Sequence, residues 1–77
     1  MKIQILGTGC PKCQTLENNA KEAIQNLGID ASVEKVSDIN TITEMGVMMT
    51  PGLAIDGEVK ASGKVLTAEQ IQELLPG

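Results

Sequence analysis

The stretch Lys2-Ile3-Gln4-Ile5-Leu6-Gly7-Thr8-Gly9-Cys10-Pro11-Lys12-Cys13 decides how the chain folds, because it runs from a strand pattern through a glycine turn into a helix start carrying two cysteines. Ile3, Ile5 and Leu6, closed by Gly7-Thr8-Gly9, predict a short and largely buried strand over residues 2–6. Leu16, Ala20, Ala23, Ile24 and Leu27 then recur at helical spacing; Pro11 suits the first turn and Gly28 is a natural stop. The CxxC pair therefore sits where a strand hands over to a helix. The unpaired N–H groups and positive dipole end of that helix favour a thiolate. A free cysteine of pKa about 8.5 is only slightly ionised at neutral pH, whereas helix N-termini and CxxC settings lower that value to about 7 or below. Lys12 adds a positive charge nearby, and the i,i+3 spacing brings the two side chains close to disulfide separation.

Working outward, Ala31 and Val33 alternate with polar neighbours and predict a second strand ending near Val36. Ser37 or Asp38 caps a short helix with Ile39, Ile42 and Met45 on its apolar side and Gly46 at its end. Leu53 and Ile55, Asp56-Gly57, then Val59 and Ala61 describe two strands joined by a tight Asp-Gly turn. Thr67 and Gln70 form a capping-box pattern before a last helix whose apolar face is Ile71, Leu74 and Leu75, stopped by Pro76. The order is β-α-β-α-β-β-α: an α/β fold with a mixed four-stranded sheet and three helices, its first crossover parallel and right-handed and its last pair antiparallel. One domain over residues 1–77 is expected.

Composition removes whole classes of function. Six Lys and Arg against ten Asp and Glu give a net charge of −4, and His, Phe, Tyr and Trp are all missing. Without His the chain cannot build a Ser-His-Asp or Cys-His pair, a His-ligated zinc or an imidazole-held haem. Without aromatic rings or a positive balance, single-stranded nucleic acid and acidic membrane surfaces are poor partners. No apolar stretch of signal-peptide length opens the sequence, and none approaches about 18 residues. A soluble cytoplasmic protein is the expectation. Cytosolic thiols are kept reduced, so a CxxC pair there reads as redox-active or metal-binding before it reads as a staple. A loop this short contributes only about 2 kcal/mol when cross-linked.

The two cysteines are not equivalent. Cys13 falls three residues before Leu16 on the buried stripe, while Cys10 precedes the helix beside Gly9. The expectation is that Cys10 attacks a target disulfide as the nucleophile and Cys13 resolves the mixed disulfide by closing the internal bond, with Lys12 tuning the thiolate. A small metal carrier is the rival from another class, but a structural zinc site needs four ligands, so two cysteines would require a dimer. No metal and no cofactor beyond the dithiol is expected. Gly7-Thr8-Gly9 reads as a turn that exposes Cys10, and Glu17, Lys21 and Glu22 as a solvated helix face. Met45, Met48 and Met49 fit core filler better than an adaptable docking patch.

Taken together, Cys10-Pro11-Lys12-Cys13 after the first strand, Thr50-Pro51 just before the hairpin, and the element order over essentially the whole chain resemble a thioredoxin-like protein, close in length to the small archaeal and bacterial thioredoxins. The resemblance implies a protein disulfide oxidoreductase. It implies that Thr50-Pro51 is cis and lies against the cysteine pair, with the Thr50 backbone pairing to an extended stretch of substrate by strand addition. Gly63 matches a position that in relatives lets substrate approach. Disulfide-containing target proteins and an electron donor of the thioredoxin-reductase or glutathione type are the implied partners, and the working unit is a monomer. Three departures stand out. Gly9 replaces the usual Trp before the first cysteine. No Asp or Glu precedes Glu17, so the acid that the family buries in its first strand is missing. Pro11 is more like glutaredoxin, which keeps a glutathione-linked activity as the alternative, although the Val-Pro and Gly-Gly-acid features of a glutathione site are absent. Lys12, Lys35 or a water are the candidates for accepting the Cys13 proton.

Overall fold

The computed structural model describes residues 1–9 and 11–75. Cys10, Pro76 and Gly77 lie outside the described residues, and with them the expected stop at Pro76. The elements are β1 (Lys2–Leu6), α1 (Pro11–Leu27), β2 (Ser32–Val36), α2 (Ile39–Glu44), β3 (Gly52–Ile55), β4 (Glu58–Ser62) and α3 (Ala68–Leu74), the expected β-α-β-α-β-β-α order. The sheet runs β2-β1-β3-β4. β1 pairs parallel with β2 and antiparallel with β3, and β3 pairs antiparallel with β4 around a bulge at Leu53/Ala54.

Strand alternation splits the core into two layers. Ile3 and Ile5 of β1 and Leu53 and Ile55 of β3 face α1 and α3, where Leu16, Ala20, Ala23, Ile71 and Leu75 meet them. Leu6 and Ala54 point to the opposite face and pack with Val36, Ile42 of α2 and Val47. The two central strands are thus covered on both sides, which is why every residue of β3 is buried. Two small residues, Ala20 and Ala23, are wholly buried and let α1 lie close, and Asn19 Nδ2 donates to the Leu66 carbonyl at 2.8 Å, tying α1 to the approach to α3.

Local chemistry fixes the boundaries. Asp38, not Ser37, caps α2, accepting from the Asn40 N–H at 3.1 Å. Asp56 and Gly57 both have positive φ, 51° and 86°, the pairing that a two-residue type I′ turn demands. The Asp56 carboxylate also accepts from the Lys2 N–H at 2.9 Å, anchoring the hairpin to β1. At α3 the Thr67 hydroxyl accepts from the Gln70 N–H at 3.2 Å while the Gln70 side chain accepts from the Thr67 N–H at 2.9 Å. Replacing Thr67 by Ala is expected to cost about 1 kcal/mol in urea denaturation followed by circular dichroism. An unchanged midpoint contradicts the box.

Two apolar assignments change. Ile39 is 59 % exposed because a strict three-residue spacing drifts around a helix of 3.6 residues per turn, leaving only Ile42 squarely on the core. Leu74 is 39 % exposed and lines an open groove between β4 and α3 instead of the interior.

Candidate active site

Cys13 lies on the first turns of α1, one turn before buried Leu16, and is itself buried. Gly7 follows directly after β1, and its N–H donates to the Val36 carbonyl at 2.9 Å, holding the chain across the end of β2. A Cβ on Gly7 would overlap Cys13 Sγ and would stand 3.4 Å from Cys13 Cβ and 3.8 Å from Thr50 Cβ. Gly7 is therefore the point where the end of β1, the start of α1 and the loop before β3 converge. The plain-turn reading of Gly7-Thr8-Gly9 misses this: Gly9 has φ +88° with open space around it and serves the turn, whereas Gly7 serves a close approach.

The Thr50–Pro51 peptide bond is cis. Pro51 is fully buried, Thr50 is exposed, and the Pro51 carbonyl accepts from the Gly63 N–H at 2.9 Å. Gly63, at φ +72°, backs onto the same loop, since a Cβ there would come within 3.1 Å of Met49 Cβ. The structure thus brings Cys13 and Thr50 together around Gly7, and Gly63 against Pro51 and Met49. Lys12 is exposed on the first turn of α1. Cys10 is outside the described residues.

The methionines divide. Met45 packs partly against the second core layer, but Met48 is 87 % and Met49 66 % exposed, which corrects the core-filler assignment for both. Two apolar side chains in water immediately before Thr50 form a flexible, polarisable lip beside the site.

A second correction concerns Glu17. Its side chain is only 13 % exposed, held between Lys21 Nζ at 3.3 Å and Lys35 Nζ at 3.5 Å. Glu17 and Lys35 line a cavity of about 20 Å³ together with Cys13, Ile5, Gly7, Gly9 and Gln14. Its position four residues after Cys13 was the available signal, since side chains at that spacing share a helix face.

Among the described residues, no three His, Cys, Asp or Glu side chains are grouped to hold a metal ion. Among those residues, too, no helix is long and apolar enough to cross a membrane.

A buried cysteine at a strand-to-helix junction and an exposed Thr before a cis proline thus meet around Gly7, an arrangement suited to thiol-disulfide chemistry. A family model described as a thioredoxin domain matches residues 1–76. The chain is 53 % identical over 75 residues to a thioredoxin of Methanothermobacter thermautotrophicus, covering 97 % of each. It is 48 % identical over 73 residues to a thioredoxin of Methanocaldococcus jannaschii, covering 95 % of this chain and 84 % of that one. With the fold, the junction around Gly7 and near-full-length matches pointing the same way, the chain belongs to the thioredoxin family.

Proposed function

We propose that this chain, a thiol-disulfide oxidoreductase of the thioredoxin family, reduces protein disulfides by cycling Cys10 and Cys13 between dithiol and disulfide. Cys10 attacks one sulfur of the target disulfide, and the other sulfur leaves as a thiolate. Cys13 then attacks Cys10 Sγ, the mixed disulfide breaks, and the target departs reduced while the internal bond closes. The observation that carries the reading is the convergence of Cys13 and Thr50 on Gly7.

In this reading the exposed Thr50 backbone pairs with an extended stretch of the target, Pro51 and Gly63 shape the surface it lies on, and Met48 and Met49 supply adaptable apolar contact. Lys12 favours the Cys10 thiolate electrostatically; because it is exposed, salt weakens its influence. The dithiol is the only redox group required. Its electrons come from a reductase-type partner, and the chain works as a monomeric single domain in the reducing cytoplasm.

The test is single-turnover transfer. The chain is reduced, freed of excess reductant and mixed with a protein holding an accessible disulfide. One target disulfide should be lost for each internal disulfide formed, read by alkylation and mass. Transfer that requires added glutathione, or none at all, contradicts the reading. Replacing both Met48 and Met49 by Asp should raise KM for the protein target roughly tenfold, the loss of about 1.4 kcal/mol of apolar contact, and leave the rate with a small disulfide reagent unchanged.

A further inference from the structure

We infer that Glu17 takes the proton of Cys13 through a single water in the small cavity between them, so that α1 supplies the acid that β1 lacks. The inference rests on the proposed reading, in which Cys13 must become a thiolate to resolve the mixed disulfide.

β1 carries Lys2, Ile3, Gln4, Ile5 and Leu6, and no carboxylate precedes Glu17 in the chain. Cys13 and Glu17 share a face of α1, and both line the cavity. Its volume of about 20 Å³ exceeds the roughly 10–15 Å³ that one water needs. Cys13, Gln14, Glu17 and Lys35 line it beside Ile5, so its walls carry the two to four polar side chains that a bound water needs. The carboxylate is placed, not merely nearby. One oxygen pairs with Lys21 and the other with Lys35, and its side chain is 13 % exposed against 61 % and 64 % for those lysines.

The charged groups facing Glu17 are Lys21 from α1 and Lys35 from β2. β1 contributes Ile5, and α3 contributes no residue to the cavity.

In the mixed disulfide, the Cys13 Sγ–H proton passes to the water as the water gives one to a Glu17 oxygen. The Cys13 thiolate attacks Cys10 Sγ, a new S–S bond forms, and the bond from Cys10 to the target breaks. The target sulfur leaves with the electron pair and is protonated from Glu17 or solvent. The target disulfide ends reduced and the Cys10/Cys13 pair oxidised.

The test uses the reduced full chain and one equivalent of dithiobis(nitrobenzoate), an aromatic disulfide whose released thiolate is coloured. Attack by Cys10 releases the first thiolate and serves as internal reference; closure by Cys13 releases the second. In Glu17→Gln the second release is expected to slow roughly tenfold or more near about pH 6, converging on wild type near about pH 9, where a thiol ionises unaided. Glu17→Asp, which keeps a carboxylate, should recover part of the low-pH rate. Glu17→Gln closing at the wild-type rate at every pH overturns the inference. So does slowing by one constant factor across the range, which marks a structural role. Wild type giving only one release overturns the Cys10/Cys13 cycle itself, a separable result.

Discussion

Cys13→Ala is expected to leave a target protein covalently bonded to Cys10, with turnover at background. In the proposed cycle Cys13 displaces the target in an intramolecular step; without it that step waits for an external thiol. Ala is preferable to Ser here. Cys13 is buried, and a hydroxyl stranded in that position would cost about 1–3 kcal/mol of its own, confusing a chemical defect with a folding one. Cys10→Ser should differ in kind: no mixed disulfide forms and no target is retained. Mass spectrometry of non-reduced adducts from single-turnover mixtures checks both. Targets trapped on Cys13 in a Cys10→Ser chain, and none on Cys10 in Cys13→Ala, reverse the assignment of attacking and resolving residues.

Gly7→Ala is expected to lower stability by about 1–3 kcal/mol, a large share of the roughly 5–15 kcal/mol that holds a domain of this kind together, and to slow disulfide closure. The added methyl would occupy the place of Cys13 Sγ, so either Cys13 swings away, α1 shifts, or the loop carrying Thr50 retreats. The core cannot absorb it cheaply, because Gly7 is pinned to Val36 by a backbone hydrogen bond and buried beneath all three elements. Gly9→Ala is the control. Its penalty, about 1–2 kcal/mol, comes from the left-handed φ of +88° and not from contact with the site. Urea denaturation should show comparable losses for the two, while only Gly7→Ala alters the rate at which Cys13 is alkylated in the reduced chain. Equal alkylation rates for Cys13 in Gly7→Ala and wild type contradict the close approach.

Much of this architecture is written in local chemistry that acts over a few residues. Asp56-Gly57 demands its turn because both positions need positive φ, and Thr67 with Gln70 satisfies a helix start reciprocally wherever the pair occurs. The spacing of Leu16, Ala20 and Ala23 likewise commits one face of α1 to burial. What could not be read depends on which distant surface arrives. Nothing local distinguishes Met45, which finds a core layer, from Met48 and Met49, which do not; the turn after α2 decides it. Glu17 looks like any helix acid until β2 brings Lys35 against it across 18 residues of chain. Gly7 looks like a turn residue until Cys13 and Thr50 close over it. The cysteine pair is legible in the sequence, whereas the groups that surround Cys13 are assembled by packing.

Redox titration of the two thiols decides whether Cys10 and Cys13 form one reversible two-electron couple. The chain is equilibrated in thiol buffers of graded potential, quenched by alkylation and weighed, since no aromatic side chain offers an optical signal. Both cysteines are expected to lose reactivity together in a single two-electron transition within the chain, with a midpoint near the roughly −270 mV of a thioredoxin. Cysteines that remain alkylatable at every potential, or that pair only between chains, contradict it.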